Sequence, residues 1–220
     1  MKNLIRILFL FSSLDIYSSS FNVKEFFKEL PISYISGTES LTLEDKIKII
    51  NNNFNKNTND HIYVNSLNLE KNILEIRISG DSIYLKLISK KNGSFLGIVS
   101  RAIGRSRYEY DFLEIDKEKN ITSISIENVG IKIPLYNDFL EKNALSTEEN
   151  FKGTLFYLEN KNIFISTLYD VASYSHYLSV EEILKFEKYY YYFYWDDAKE
   201  IFIKQKILVS ELESILVKWS

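Results

Sequence analysis

From His61 to Glu127 the chain alternates apolar and polar positions with a period of two. Leu74, Ile76 and Ile78 interleave with Glu75 and Arg77, and Ile83, Leu85 and Leu87 repeat the pattern. Successive side chains on a strand point to opposite faces, so this spacing predicts strands with one face buried. Ser79-Gly80-Asp81 reads as a tight turn between them. Asn92-Gly93 suits a type I′ hairpin, because both residues accept positive φ, and folds Phe95–Ser100 back on Tyr84–Ile88. Tyr108, Tyr110 and Phe112 mark a further strand. Asp116–Asn120 then turns the chain into Ile121–Glu127, with Ile124 and Ile126 on one side. Strands joined by short turns are antiparallel, so the pattern describes a meander.

Helical spacing flanks this region. Phe26 and Phe27 lie in a short segment closed by Pro31, and Thr42 caps a second helix with Leu43, Ile47, Ile50 and Phe54 on one face. Asn51–Asp60 reads as a loop. Beyond Pro134, Leu135–Lys142 forms a short helix, and Thr154–Leu158 and Ile163–Leu168 pair across a turn at Glu159–Asn162. Ser179 and Glu182 have capping-box spacing, with Leu178 stapled against Ile183, so a helix runs to about Lys188. Tyr190–Trp195, a turn at Asp196–Lys199 and Ile201–Lys206 make a last hairpin. Leu208, Leu212, Leu216 and Trp219 follow at C-terminal helical spacing. The expected fold class is α+β: a mainly antiparallel meander sheet with a few short helices, arranged as two similar helix-plus-sheet halves, 21–134 and 135–220, within one domain over 21–220.

The first twenty residues follow a different rule. Lys2 and Arg6 precede the apolar run Ile7-Leu8-Phe9-Leu10-Phe11, and Ser18-Ser19-Ser20 offers small residues for cleavage. This is the layout of a secretory signal peptide over residues 1–20, with Asp15 its one discordant position. The run is too short to span a bilayer, which takes about 20 residues. The expectation is a periplasmic or secreted protein, cleaved near Ser20, with no transmembrane segment.

Composition narrows the chemistry. Cysteine is absent, which removes disulfides, thiolate catalysis, cysteine-bound metals and a lipid-anchored N-terminal cysteine. The net charge of -3 gives no electrostatic basis for nucleic-acid binding. His61 and His176 are too far apart in sequence for helical i, i+4 metal ligation, and only Asp60 adjoins either. No Gly-x-Ser-x-Gly elbow marks a nucleophile, and the glycines around Gly97 and Gly104 lack the Gly-Lys-Ser/Thr of a phosphate loop. Arg101, Arg105 and Arg107, with Lys90 and Lys91, read as a solvated sheet edge. Glu181–Glu182 opens a helix and Asp196–Asp197 fills a turn, so both acidic pairs have structural causes. These readings predict no catalytic residue, no metal and no cofactor.

One run has no ordinary counterpart. Tyr189–Trp195 reads Tyr-Tyr-Tyr-Tyr-Phe-Tyr-Trp. On a strand, Tyr190, Tyr192 and Tyr194 point one way while Tyr191, Phe193 and Trp195 point the other. One set fills the core, and the other stays partly exposed or is covered by a helix; the rival reading is a strand buried on both faces with its hydroxyls reaching the rim. Aromatic rings carry interface energy, so Tyr190, Tyr192, Tyr194 and Trp195 are the candidate binding residues.

The order of landmarks resembles a family of uncharacterised exported bacterial proteins, a domain of unknown function. The matching pieces are the export-like start, Phe26-Phe27-Lys28-Glu29-Leu30-Pro31, the helix near Leu43–Ile50, and Tyr192-Phe193-Tyr194-Trp195-Asp196. The resemblance implies an α+β exported protein and carries no catalytic residues. The expected function is non-catalytic binding of a protein or cell-envelope component. The rivals are an envelope hydrolase using Asp/Glu acid-base chemistry and a structural or assembly subunit that self-associates at sheet edges.

Overall fold

A computed structural model describes residues 21–35, 41–51, 62–78, 81–103, 107–139, 153–158, 161–168 and 188–211. Two antiparallel sheets account for most of them. The first holds β1 (Ile62–Asn68), β2 (Ile73–Ile78), β3 (Asp81–Ser89), β4 (Phe95–Ile103), β5 (Arg107–Ile115) and β6 (Ile121–Ile124), in chain order. The second holds β7 (Thr154–Leu158), β8 (Ile163–Thr167), β9 (Tyr189–Asp196) and β10 (Ile201–Leu208), also in chain order. Both halves are meanders, of six strands and four.

The first helices cover one face of the six-stranded sheet. Asn22 caps α1 (Val23–Glu29), its side-chain oxygen accepting from the N–H groups of Lys24 (2.9 Å) and Glu25 (3.3 Å). Thr42 caps α2 (Leu43–Asn51): its hydroxyl accepts from the Asp45 N–H while the Asp45 carboxylate accepts from the Thr42 N–H. Phe26, Phe27 and Leu30 pack with Leu74, Ile76, Ile83, Leu85, Val99 and Leu113 into one core. Gly97 makes this contact possible, since a Cβ there would lie 2.5 Å from the Phe26 ring and 2.9 Å from Ile115 Cδ1.

The helix face of α2 differs from the apolar spacing. Leu43 is 56% exposed, while Lys46, 6% exposed, and Ile50 point inward. Lys46 is drawn in by unpaired carbonyls at the end of α1. Its ammonium donates to Lys28 O (3.1 Å) and Leu30 O and lies 5.9 Å from the centre of the Phe27 ring. A helix C-terminus welcomes such a cation.

The second core lies between the sheets. Ile88, Leu96, Ile98 and Phe112 from the first meet Leu155, Phe164, Phe193 and Phe202 from the second, with Val129, Ile131 and Phe139 between. Phe139 closes the short helix α3 (Tyr136–Phe139). The order of layers is therefore helices, six-stranded sheet, four-stranded sheet.

Two contacts join the sheets at their margins. Tyr110 of β5 donates its hydroxyl to Leu155 O (3.2 Å) and accepts from Tyr157 N–H (3.0 Å). One hydroxyl thus satisfies two backbone groups of edge strand β7, as a neighbouring strand would. At the other margin Val129 O accepts from Phe202 N–H (2.8 Å), tying the chain between the sheets to β10. Gly130 turns there with φ +88°, and a Cβ would strike the Phe202 backbone.

The hairpin at Asn92-Gly93 forms, with Tyr84 opposite Ser100 and Ile88 opposite Leu96. Its turn is not type I′. Only Gly93 has positive φ (83°), and Lys90 N–H bonds Ser94 O (2.9 Å) while Gly93 N–H bonds Lys90 O (3.1 Å). That is a three-residue loop with glycine at the left-handed position. The Asn92 side chain, accepting from Ser94 N–H at 2.9 Å, holds it. The alternation in β2 also misleads. Glu75 does not face solvent: it is 6% exposed, and its carboxylate accepts from Asn65 (2.6 Å), Ser66 (3.4 Å) and Ser82 (3.2 Å). Asn65 sits at a bulge in β1, which swings its amide toward the acid.

Candidate functional site

The aromatic run forms β9, between β8 and β10. Pairing fixes which ring goes where. Tyr191 and Phe193 are buried in the inter-sheet core, with Tyr189 and Trp195 packed against it. Tyr190, Tyr192 and Tyr194 therefore occupy the outer face, each half-buried. Tyr192 stands between Ile165 and Gln205, Tyr194 between Ile163 and Ile203, and Tyr190 beside Ile207. The Tyr192 and Tyr194 rings lie 6.2 Å apart, tilted by 38°. Burial and the neighbouring Tyr194 push the Tyr192 phenol up from its ordinary pKa. The two rings offer apolar faces with hydroxyl tips.

Of the four candidate residues, the strand separates one from the rest. Trp195 lies on the inner face, its ring 5.2 Å from Phe202, and its buried Nε1–H has no hydrogen-bond partner among the described residues. The outer row is Tyr190, Tyr192 and Tyr194, without the tryptophan.

The inner face carries a second aromatic feature that the run alone did not suggest. Lys204 lies 4.2 Å from the centre of the Tyr191 ring, and Lys206 3.7 Å from that of Tyr189. Lys204 and Lys206 pair opposite Phe193 and Tyr191, so alternation in β10 sets both on the core side at the sheet margin. The signal was present in Phe202, Lys204 and Lys206 at strand spacing. Only the pairing register could connect it to the tyrosines. Tyr191 donates its hydroxyl to Asp138 O (2.9 Å). Burial, then the charges of Asp138 and Tyr189, push its pKa up to about 12.

Arg101 does not lie on a sheet edge. β4 is interior, flanked by β3 and β5, and Arg101 has only 17% of its side chain exposed. Its guanidinium lies 2.7 Å from Asp111 and 3.5 Å from Glu109. Burial raises the Asp111 pKa against the opposing pull of Arg101. Lys90 and Lys91 lie at the far end of this hairpin. Lys90 pairs with Glu114, while Lys91 donates its N–H to the Glu200 carboxylate and its ammonium to Ala198 O at 3.4 Å. Arg105 lies outside the described residues.

The remaining candidates divide simply. Asp196 accepts from the N–H groups of Ala198 (2.8 Å) and Lys199 (3.0 Å), a structural turn role. Asp60, His61, His176, Ser179, Glu181 and Glu182 lie outside the described residues, as does the start of the chain through residue 20. Among the described residues no His, Asp and Glu group could hold a metal ion, and no helix is long and apolar enough to cross a membrane.

No protein-family model and no curated protein matches the chain. Among solved structures, it is similar to a domain of an uncharacterized protein from Porphyromonas gingivalis W83, with a TM-score of 0.50 and 10% sequence identity. The likeness covers 83% of this chain and 97% of that domain. At that identity it shows a shared fold.

Proposed function

We propose that this is an exported, non-catalytic protein that binds another protein or a cell-envelope component through the outer face of its four-stranded sheet. The observation that carries the reading is the row Tyr190, Tyr192 and Tyr194, set among Ile163, Ile165 and Ile203 on the side of β9 turned away from the inter-sheet core. Tyrosine supplies a large apolar contact with a hydrogen-bonding tip and few rotatable bonds, which suits recognition. The signal-like start at Lys2, Arg6 and the apolar run beyond supports an extracytoplasmic setting.

The test replaces all three outer tyrosines with serine. Near-UV circular dichroism establishes that the variant folds, and sedimentation with washed envelope fractions measures binding. The expected result is a folded variant with lost retention; full retention by a folded variant would remove the tyrosine row from the account. Export is tested separately by expressing the chain with its own start and sequencing the N-terminus of the product. An intact Met1 on cytoplasmic protein contradicts it.

A further inference from the structure

Among the described residues, the margin of the four-stranded sheet at β10 is closed at its ends and open in the middle. Phe202 turns its N–H away from β9 and bonds Val129 O (2.8 Å), and Leu208 N–H bonds the Glu211 carboxylate (3.3 Å). Between them, the outward backbone groups of Lys204 and Lys206 have no hydrogen-bond partner among the described residues, and residues 204–206 are exposed. Unpaired groups of this kind template an added strand.

The two side chains that flank the open groups, Lys204 and Lys206, are both cationic, and the nearby Glu211 carboxylate already accepts from Leu208 N–H. Lys204 and Lys206 form no ion pair among the described residues. The other charged groups acting on Lys204 are Lys132 and Asp138, and the Asp138 carboxylate already accepts from Leu135 N–H (2.9 Å). Lysines guarding a sheet edge ordinarily extend into water. These two instead lie over the Tyr189 and Tyr191 rings, so their ammonium groups are held beside the edge at fixed positions.

We propose that β10 receives an extended acidic segment of a partner protein, which pairs with the backbone of Lys204 and Lys206 and places alternate carboxylates beside their ammonium groups. Side chains of the added strand on the opposite face would continue the row that Tyr192, Gln205, Tyr194 and Ile203 begin. The proposal therefore rests on the reading of this sheet as a binding surface and names the partner's chemistry. Charge also decides against a second copy of this chain as occupant. The antiparallel register that uses the open groups of both copies sets Lys204 directly against Lys206, and like charges opposite one another destabilise a pair.

The experiment uses the full chain and a fluorescein-labelled peptide of alternating Glu and Val, followed by anisotropy. Comparison peptides replace Glu by Gln, or keep Glu and methylate the backbone nitrogens that would pair. The Glu peptide should bind at low salt, with affinity falling as salt rises. Both comparison peptides should bind at least about tenfold more weakly. Lys204→Glu/Lys206→Glu, a change at exposed positions, should lose the Glu peptide to the same degree. Equal binding of the Gln or methylated peptide overturns the proposal, as does undiminished binding to the double variant or a dimer by light scattering that excludes the peptide. The Tyr190→Ser/Tyr192→Ser/Tyr194→Ser variant separates the two readings. Peptide binding that survives there while envelope retention is lost keeps the edge site, and envelope retention lost only with Lys204→Glu/Lys206→Glu moves the function from the tyrosine row to the edge.

Discussion

The Tyr110 hydroxyl offers the sharpest test of how the two sheets are held. Tyr110→Phe removes one oxygen and leaves the ring, whose edge-on contact with Phe164 (5.2 Å between centroids) needs no hydroxyl. Lost with the oxygen are the bonds to Leu155 O (3.2 Å) and Tyr157 N–H (3.0 Å). Each partner is a backbone group at a partly buried strand edge, and a net value of about 1 kcal/mol per bond gives a loss of about 2 kcal/mol. With a urea m-value of about 2–3 kcal/mol/M, the unfolding midpoint falls by about 0.7–1 M and the slope is unchanged. Hydrogen exchange locates the effect, because the Tyr157 amide should exchange faster than its neighbours in β8. Tyr108→Phe is the control. Among the described residues its hydroxyl bridges no backbone groups, and a change within about 0.5 kcal/mol is expected. An unshifted midpoint together with unchanged protection at Tyr157 would refute the claim that this hydroxyl stands in for a strand.

Three further outcomes follow from the packing. Gly97→Ala should destabilise by about 1–3 kcal/mol through overpacking against Phe26; adding Phe26→Leu should recover part of the loss, measured as a non-additive double-mutant cycle in urea. Lys46→Met keeps the apolar stem but strands the carbonyls of Lys28 and Leu30, so a loss of about 1–3 kcal/mol is expected in the same assay. Tyr191 has a folded-state pKa of about 12 against an ordinary 10.0, so between these values the unfolded chain carries fewer protons and stability falls as pH rises. Tyr191→Phe should therefore show a shallower alkaline decline in unfolding midpoint than the parent, and parallel declines would contradict this.

The elements that were legible in the sequence are those whose pattern is local. Alternation from Leu74 to Leu87 located β2 and β3, and the aromatic run located β9 together with the direction of each ring. What escaped was set by partners far along the chain. Glu75 looks like the wet side of a strand until the bulge at Asn65 brings an amide to it, 10 residues away in sequence. Arg101 reads as surface charge until β5 supplies Asp111 across the pairing. Leu43 fits the helical stripe, but the carbonyls ending α1 turn α2 so that Lys46 enters instead. For the candidate site, the sequence separated the tyrosines by face, whereas the lysine ledge depended on the register between β9 and β10.

The placement of the inter-sheet core has a consequence for the order of synthesis. When residue 124 has been made, the six strands of the first sheet are complete in sequence, yet Ile88, Leu96, Ile98 and Phe112 still await their partners. Leu155, Phe164, Phe193 and Phe202 emerge last, and the Phe202 tie to Val129 later than all the strands it secures. A nascent chain stalled between the sheets thus presents a broad apolar surface whose partners in the second sheet are not yet made, the condition in which growing chains aggregate or recruit chaperones. Released chains truncated near residue 135 should bind a hydrophobic dye strongly, and the full chain should not.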